Sequence, residues 1–385
     1  MTEPTIQLLK NLIAIDSVNP SLVPDASGEK EIATLIAGQL RTAGMDVEVQ
    51  TVAAERSVER SNVIGVVEGA QKGRTLMLCG HMDTVGVAGM KAPFDPVEKD
   101  GRIYGRGSQD MKGGLAAMIA AVRHLATTGS LRSGRVVLAA VIDEEYASTG
   151  AEALVTRWKA DAAVIGEPTD MKIAVGHKGF EWVEVSTEGI AAHGSRPADG
   201  RDAIMRMGRV LSRLEKLDHD LQSRKPHPIH GTASLHASII DGGRELSTYP
   251  DRCVLQMERR TIDGEPDQCG FAEVQNILDQ LRGEDPEFTA SAKSVFSRPS
   301  YLAQFSEDGL PKLIADAIRR RGVQAATGGM SFWTDAAILG AAGIPSIVFG
   351  PSGAGLHSTS EYVVAEDVLT CRDAFIELAN AFCSW

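Results

Sequence analysis

The chain has 385 residues, 43% hydrophobic and 23% charged, the balance of a globular protein long enough for two domains. A formal net charge of −12 argues against a nucleic-acid binder, which would present a basic face. No apolar run is long enough to span a bilayer. Met1–Thr5 carries no signal-peptide pattern, and the five cysteines are scattered with no Cys-x-x-Cys, so a cytoplasmic protein with reduced core thiols is expected.

In chain order, Thr2 or Thr5 can cap a first helix bearing Ile6, Leu9 and Ile13 on one face. Ser27 opens a second helix striped by Ile32, Leu35, Ile36 and Leu40 and stopped by Gly44. Strand-like runs follow at 46–52, 62–68 and 75–79, the last ending in Gly80-His81-Met82-Asp83. A long loop rich in Gly and Pro runs to about residue 112, and an Ala/Gly-rich helix covers 113–126. The β-branched run 135–142 ends in Asp143-Glu144-Glu145. A helix near 150–159 and a short apolar run, 161–165, lead to Gly166-Glu167-Pro168. Strands alternating with helices predict an α/β layer with a mixed, largely parallel sheet.

The texture changes near residue 178. Residues 180–187 alternate apolar and polar, as in a half-exposed strand. A helix, two alternating strands, a second helix and a strand near 288–295 complete the split βαβ order of a ferredoxin-like α+β domain. Residues 179–293 therefore read as an insertion into a domain made of 1–178 and 294–385. Beyond it come helices at 310–321, 336–342 and 366–383, a buried strand at 345–349, and a glycine-rich loop ending at His357.

In an open α/β sheet, sites form beyond the carboxyl ends of the strands. His81 and Asp83, Glu144 and Glu145, Glu167 and His357 all follow strands there, and Asp110 sits in a glycine-rich loop before a helix. Each has a plain alternative: an acidic pair is ordinarily a solvated corner, and a lone Asp before a helix is ordinarily a cap. Their shared place at one sheet edge favours a site. Imidazole and carboxylate ligands without cysteine suit zinc, manganese or cobalt. The set exceeds the needs of one tetrahedral ion and matches two ions bridged by a carboxylate. Gly105-Arg106-Gly107 and Gly113-Gly114 fit neither nucleotide-binding glycine pattern.

These residues resemble the two-zinc amidohydrolase and peptidase family of acetylornithine deacetylase, succinyl-diaminopimelate desuccinylase and glutamate carboxypeptidase. The motifs are Gly80–Val85, Gly105–Gly114, Asp143–Glu145, Gly166–Thr169, Ala192–Pro197 and Gly355–Tyr362, in family order. The resemblance implies one metal on His81, Asp110 and Glu167 and another on Asp110, Glu145 and His357. It makes Asp83 the group that orients His81, and Glu144 the general base that takes a proton from a metal-bound water. It also implies a cis peptide after Asp110.

The inserted domain would be a lid and dimerisation domain. His193 resembles the histidine that stabilises the oxyanion in the partner's site, and Arg260 the arginine that clamps a substrate carboxylate. Arg259 is expected to face solvent, since strand neighbours point opposite ways. Where the family has a substrate-binding asparagine, this chain has Ser247 or Thr248. Thr334 lies in a substrate-contact loop, beside a Trp333 that suggests an apolar pocket or packing. The expectation is a homodimer with two divalent metals, zinc first, that deacylates a small N-acyl amino acid or, alternatively, cleaves a small peptide. No nucleic acid or membrane partner is expected.

Overall fold

Residues 3–55, 58–324 and 326–384 are described by a computed structural model. They divide into two units, one made of 1–175, 303–328 and 334–385, the other of 176–302 and 329–333. The second unit contains the whole strand Thr289–Arg298, through which a boundary at 293/294 would cut.

The first unit is built on a mixed sheet. Its central strands run parallel: Ser133–Val141 beside Gln71–His81, then Ala162–Ile165, then Ser346–Val348. Asp46–Glu55 and Val58–Glu68 extend one side, and residues 173–175 close the other, all antiparallel. Leu76 to His81 are buried without a break, because helices cover both faces. Leu76 and Leu78 join the main core with helices Gly113–Thr128 and Ala365–Cys383. Thr149–Arg157 packs with Ala336–Ala341. Gly114 allows the helix to lie on the sheet, since a Cβ there would fall 1.9 Å from the Gly166 carbonyl oxygen.

The sequence pattern misses a four-stranded antiparallel sheet, Gly353–Ala354, Tyr362–Val364, Arg102–Tyr104 and Val97–Lys99. It ties the long loop before Asp110 to the glycine-rich loop that carries His357. Two helix starts also differ from expectation. Glu3 caps Pro4–Ile13 by accepting from the Thr5 and Ile6 N–H groups at 2.7 and 3.0 Å; Thr5 lies inside the helix and Thr2 outside the described residues. The second helix starts at Lys30, and the Ser27 hydroxyl donates to Asp16. All five cysteines are free thiols, four of them buried.

The second unit is a four-stranded antiparallel sheet in the order Ser234–Gly242, Arg252–Thr261, Gly179–Glu188, Thr289–Arg298. Helices Ala203–Ser223 and Cys269–Glu284 cover one face, where Val183, Val185, Leu255 and Met257 form the core. Asp202 caps the first of these helices through the Met205 N–H. This is the ferredoxin-like arrangement that the strand and helix order predicts. Among the described residues no helix is long and apolar enough to cross a membrane.

Candidate metal centre

The candidate groups of the first unit do converge. His81 ends strand Gln71–His81, Glu144 and Glu145 follow Ser133–Val141, and Glu167 follows Ala162–Ile165. These three neighbouring strands are parallel, so their carboxyl ends lie side by side. Asp110 lies in the irregular turn Ser108–Lys112, entered through Gly107 at φ +78° and leading into helix Gly113–Thr128. The Asp110–Met111 peptide is cis, as the family resemblance implies. His357 reaches the group from its loop at φ +58°.

Asp110 sits between the imidazoles. Its Oδ1 is 3.1 Å from His81 Nε2 and its Oδ2 is 3.4 Å from His357 Nε2. Glu167 Oε1 lies 3.5 Å from His81 Nε2, and Glu145 Oε2 lies 3.2 Å from His357 Nε2. Glu144 is the outlier, with Oε2 3.9 Å from His81 Nε2. Proximity alone would group it with His81 and Glu167 as a possible ligand. Glu145 Oε1 and Glu167 Oε1 are buried with no hydrogen-bond partner among the described residues. Buried carboxylate oxygens are normally satisfied. Two imidazoles, three carboxylates and two unsatisfied oxygens fit divalent cations.

Electrostatics give the same picture. Burial raises Glu144; burial and the Asp110 charge push Glu145 up to about 7, and burial pushes Glu167 up to about 8, reinforced by Asp110 and Glu145. Hydrogen bonds to Asp110 and Glu145 raise His357 to about 10. Burial opposes ionisation of Asp110, yet hydrogen bonds from His357 and His81 hold it below the usual range. Without a cation, the folded cluster keeps protons on Glu145 and Glu167 that the unfolded chain releases above 4.5. Stability from these groups therefore falls as pH rises from about 4.5 through 8, and His357 adds to the loss above its ordinary 6.5. A cation held by these groups would replace those protons. The melting temperature gained by adding zinc to chelator-treated protein is thus expected to grow by several degrees between pH 5.5 and 8. A gain that shrinks over this range in thermal melts would contradict the assignment.

Asp83 is placed differently from expectation. His81 Nδ1 pairs with the Asp83 backbone carbonyl at 3.0 Å, while the nearest Asp83 carboxylate oxygen is 3.6 Å away. That carboxylate accepts from the Glu144 and Glu145 N–H groups, both at 3.2 Å, so it holds the acidic turn. Glu361 is a further member of the site that the sequence pattern does not single out. Its buried carboxylate accepts from the N–H groups of Gly107, Gln109 and Asp110, and from Arg106 at 2.6 Å. The only sequence signals were an arginine inside a Gly-x-Gly and an acid four residues after His357.

His193, Ser247 and Arg260 belong to the second unit. His193 is exposed, with Nδ1 2.8 Å from Ser195 Oγ, and it bridges to Thr248; the Ser247 carbonyl accepts from Gly194. Arg260 Nε donates to Glu258 at 2.6 Å, and its guanidinium lies 5.5 Å from the Phe180 ring centre. Arg259 does not face solvent. It is fully buried and forked onto Glu265 and Glu273, because its side of the strand meets helix Cys269–Glu284. Trp333 packs against His177 and Phe180 and donates to the Pro299 carbonyl. In the first unit, Thr334 is buried and its hydroxyl accepts from Ala336 N–H at the start of helix Ala336–Ala341.

The parallel strand ends bring the carboxylates and imidazoles into one candidate metal cluster, and comparison with known proteins makes the chain a hydrolase of the peptidase and amidohydrolase type. Residues 77–381 match the model of peptidase family M20/M25/M40, and the chain belongs to that family. It is 31% identical over 366 residues to an acetylornithine deacetylase of Myxococcus xanthus, covering 90% of each chain. Its fold is similar to a tripeptidase of Staphylococcus aureus subsp. aureus Mu50, with TM-score 0.81, 20% identity and 99% and 98% of the two chains covered. A Bacillus subtilis dinuclear metal-binding peptidase of family M20 is similar with TM-score 0.73, 16% identity and 99% and 98% covered.

Proposed function

We propose that this enzyme hydrolyses the amide bond of a small N-acyl amino acid with two divalent cations, zinc first, held by His81, Asp110 and Glu167 and by Asp110, Glu145 and His357. The observation that carries this is the bridging place of Asp110, one oxygen toward each imidazole, beside two unsatisfied carboxylate oxygens. Bound there, the cations would polarise the amide carbonyl and make water more acidic. Glu144 takes the proton of the attacking water and delivers it to the leaving amine; its 3.9 Å from His81, longer than the Asp110 and Glu167 distances, supports a base rather than a ligand. Asp83 fixes the turn on which Glu144 sits. Arg260 takes the substrate carboxylate, its guanidinium already oriented by Glu258 and Phe180. Ser247 and Thr334 complete substrate binding.

His193 of a second copy of the chain stabilises the oxyanion. The edge strand Ser234–Gly242 supports a homodimer, since it exposes Ile239 and Ile240 and leaves one side of its backbone without a strand partner among the described residues. The inserted unit is then the lid and dimerisation domain. The free thiols support a cytoplasmic location.

The likeness to an acetylornithine deacetylase supports deacylation over peptide cleavage. The test is a panel of N-acyl amino acids and dipeptides with added zinc, cobalt or manganese, scored for released amine. Turnover of N-acyl amino acids well above that of dipeptides is expected. Preference for dipeptides would make the enzyme a dipeptidase or carboxypeptidase, and no release from any member would reject the reading.

A further inference from the structure

Beneath the Glu144–Glu145 turn lies a buried polar chain with no atom in the candidate metal cluster. It holds three carboxylates, Glu29, Asp83 and Asp143, each at most 1% exposed, and one cation, Arg60, 3% exposed. Arg60 comes from strand Val58–Glu68. Its Nε and Nη2 fork onto Glu29, while Nη1 donates to Asp143 Oδ1 at 3.1 Å and to Ser21 at 3.0 Å. Asn19 is wholly buried and uses one amide nitrogen twice, donating to Asp83 Oδ2 at 2.7 Å and to Asp143 Oδ1 at 3.0 Å. Its side-chain oxygen accepts from the Ser21 N–H at 2.8 Å, which fixes which end of the amide faces the acids.

Burying an arginine with three carboxylates is costly unless every group is paired. The pairing found here is also directional. Asp143 has φ +68°, an unfavourable conformation for a residue with a side chain, and its other oxygen accepts from the Thr149 hydroxyl at 2.8 Å. Asp83 takes the backbone N–H groups of both Glu144 and Glu145. Asn19 thus ties together the two carboxylates that flank the turn, one at its first residue and one beneath its next two. Arg60 holds the outer end of the tie.

We infer that Arg60 and Asn19 are positioning residues that set the place of Glu144 and Glu145 through Asp143 and Asp83. They touch neither substrate nor reacting atoms. This inference rests on the proposed roles of Glu144 and Glu145. Its consequence is that one tie sets both the proton-transfer distance and the second imidazole–carboxylate pair, so disturbing it shifts turnover and metal affinity together.

The test compares Asn19→Ala, Asn19→Ser, Arg60→Lys and Glu144→Gln with the wild-type enzyme. The readouts are kcat and KM at saturating zinc, zinc affinity by competition with a chelating dye, and thermal melts of metal-free and zinc-loaded protein. For Asn19→Ala we expect kcat to fall roughly 10–100-fold, KM to stay within about threefold and zinc to bind roughly tenfold more weakly, with a cooperative melt retained. Asn19→Ser, which keeps a donor, should fall between Asn19→Ala and wild type. Arg60→Lys, which keeps charge without the fork, should show the same paired loss. Wild-type kcat and zinc affinity in the Asn19 and Arg60 variants, with only a lower melting temperature, would overturn the inference and leave the chain a purely structural part. In that case an inactive Glu144→Gln control would show that the proposed base still stands. An active Glu144→Gln would reject the base itself, and the zinc affinities would then decide whether Glu145 is positioned as inferred.

Discussion

Glu144→Ala is expected to keep the full metal complement and lose roughly 10²–10⁴-fold in kcat. The proposed ligand groups should survive the change, because His81 pairs with Asp110 and Glu167 at 3.1 and 3.5 Å and His357 with Asp110 and Glu145 at 3.4 and 3.2 Å, whereas Glu144 stays 3.9 Å from His81. The turn survives too, since Asp83 holds the Glu144 backbone N–H, which alanine retains. What would disappear is the group proposed to move the proton from water to amine. KM should change little, as the carboxylate binds no part of the substrate in this scheme. Metal content by elemental analysis and steady-state kinetics on one sample check the prediction. Near-wild-type turnover would reject Glu144 as the base, and loss of a metal equivalent would make it a ligand.

Removal of metal should have the largest effect of all. Dialysis against a strong chelator is expected to lower activity at least roughly 10³-fold, and zinc, cobalt or manganese should restore it. Elemental analysis should find two equivalents per chain, and Asp110→Ala should lose both, because each of its oxygens faces a different imidazole. A single equivalent in the wild-type protein would rule out Asp110 as a bridge. Full activity in the chelated, metal-depleted protein would reject the mechanism altogether.

Much of this site is legible in the sequence because parallel strands end in line. His81, Glu144 and Glu167 each follow an apolar run, and a parallel sheet brings such endings together. What escapes is what periodicity cannot carry. Strands of two or three residues, such as Arg102–Tyr104 and Gly353–Ala354, are too short to show alternation. Strand parity separates Arg259 from Arg260 but does not say which is inside. The answer depends on Glu265 and Glu273, which lie outside the strand and make burial of Arg259 bearable. Asp83 illustrates the same limit. The short His-x-Asp spacing suggests a direct carboxylate–imidazole pair, while the backbone carbonyl takes the imidazole and frees the carboxylate for a turn 61 residues away.

The clamp formed by Glu361 has a consequence for the birth of the molecule. Gly107 and its partner carboxylate are 254 residues apart, and His357 is almost as distant from Asp110. At about 5–20 residues per second, the ribosome needs roughly 13–50 s to deliver the second half of this clamp after the first. During that interval the nascent Gly107–Asp110 loop has no carboxylate to align its N–H groups, and the second imidazole does not yet exist. A cation meeting the growing chain finds half a binding place. Under the proposed ligand set, the site of His81, Asp110 and Glu167 would be complete early, the second ion would wait for the finished polypeptide, and chains that stall before residue 357 should emerge unable to hold it.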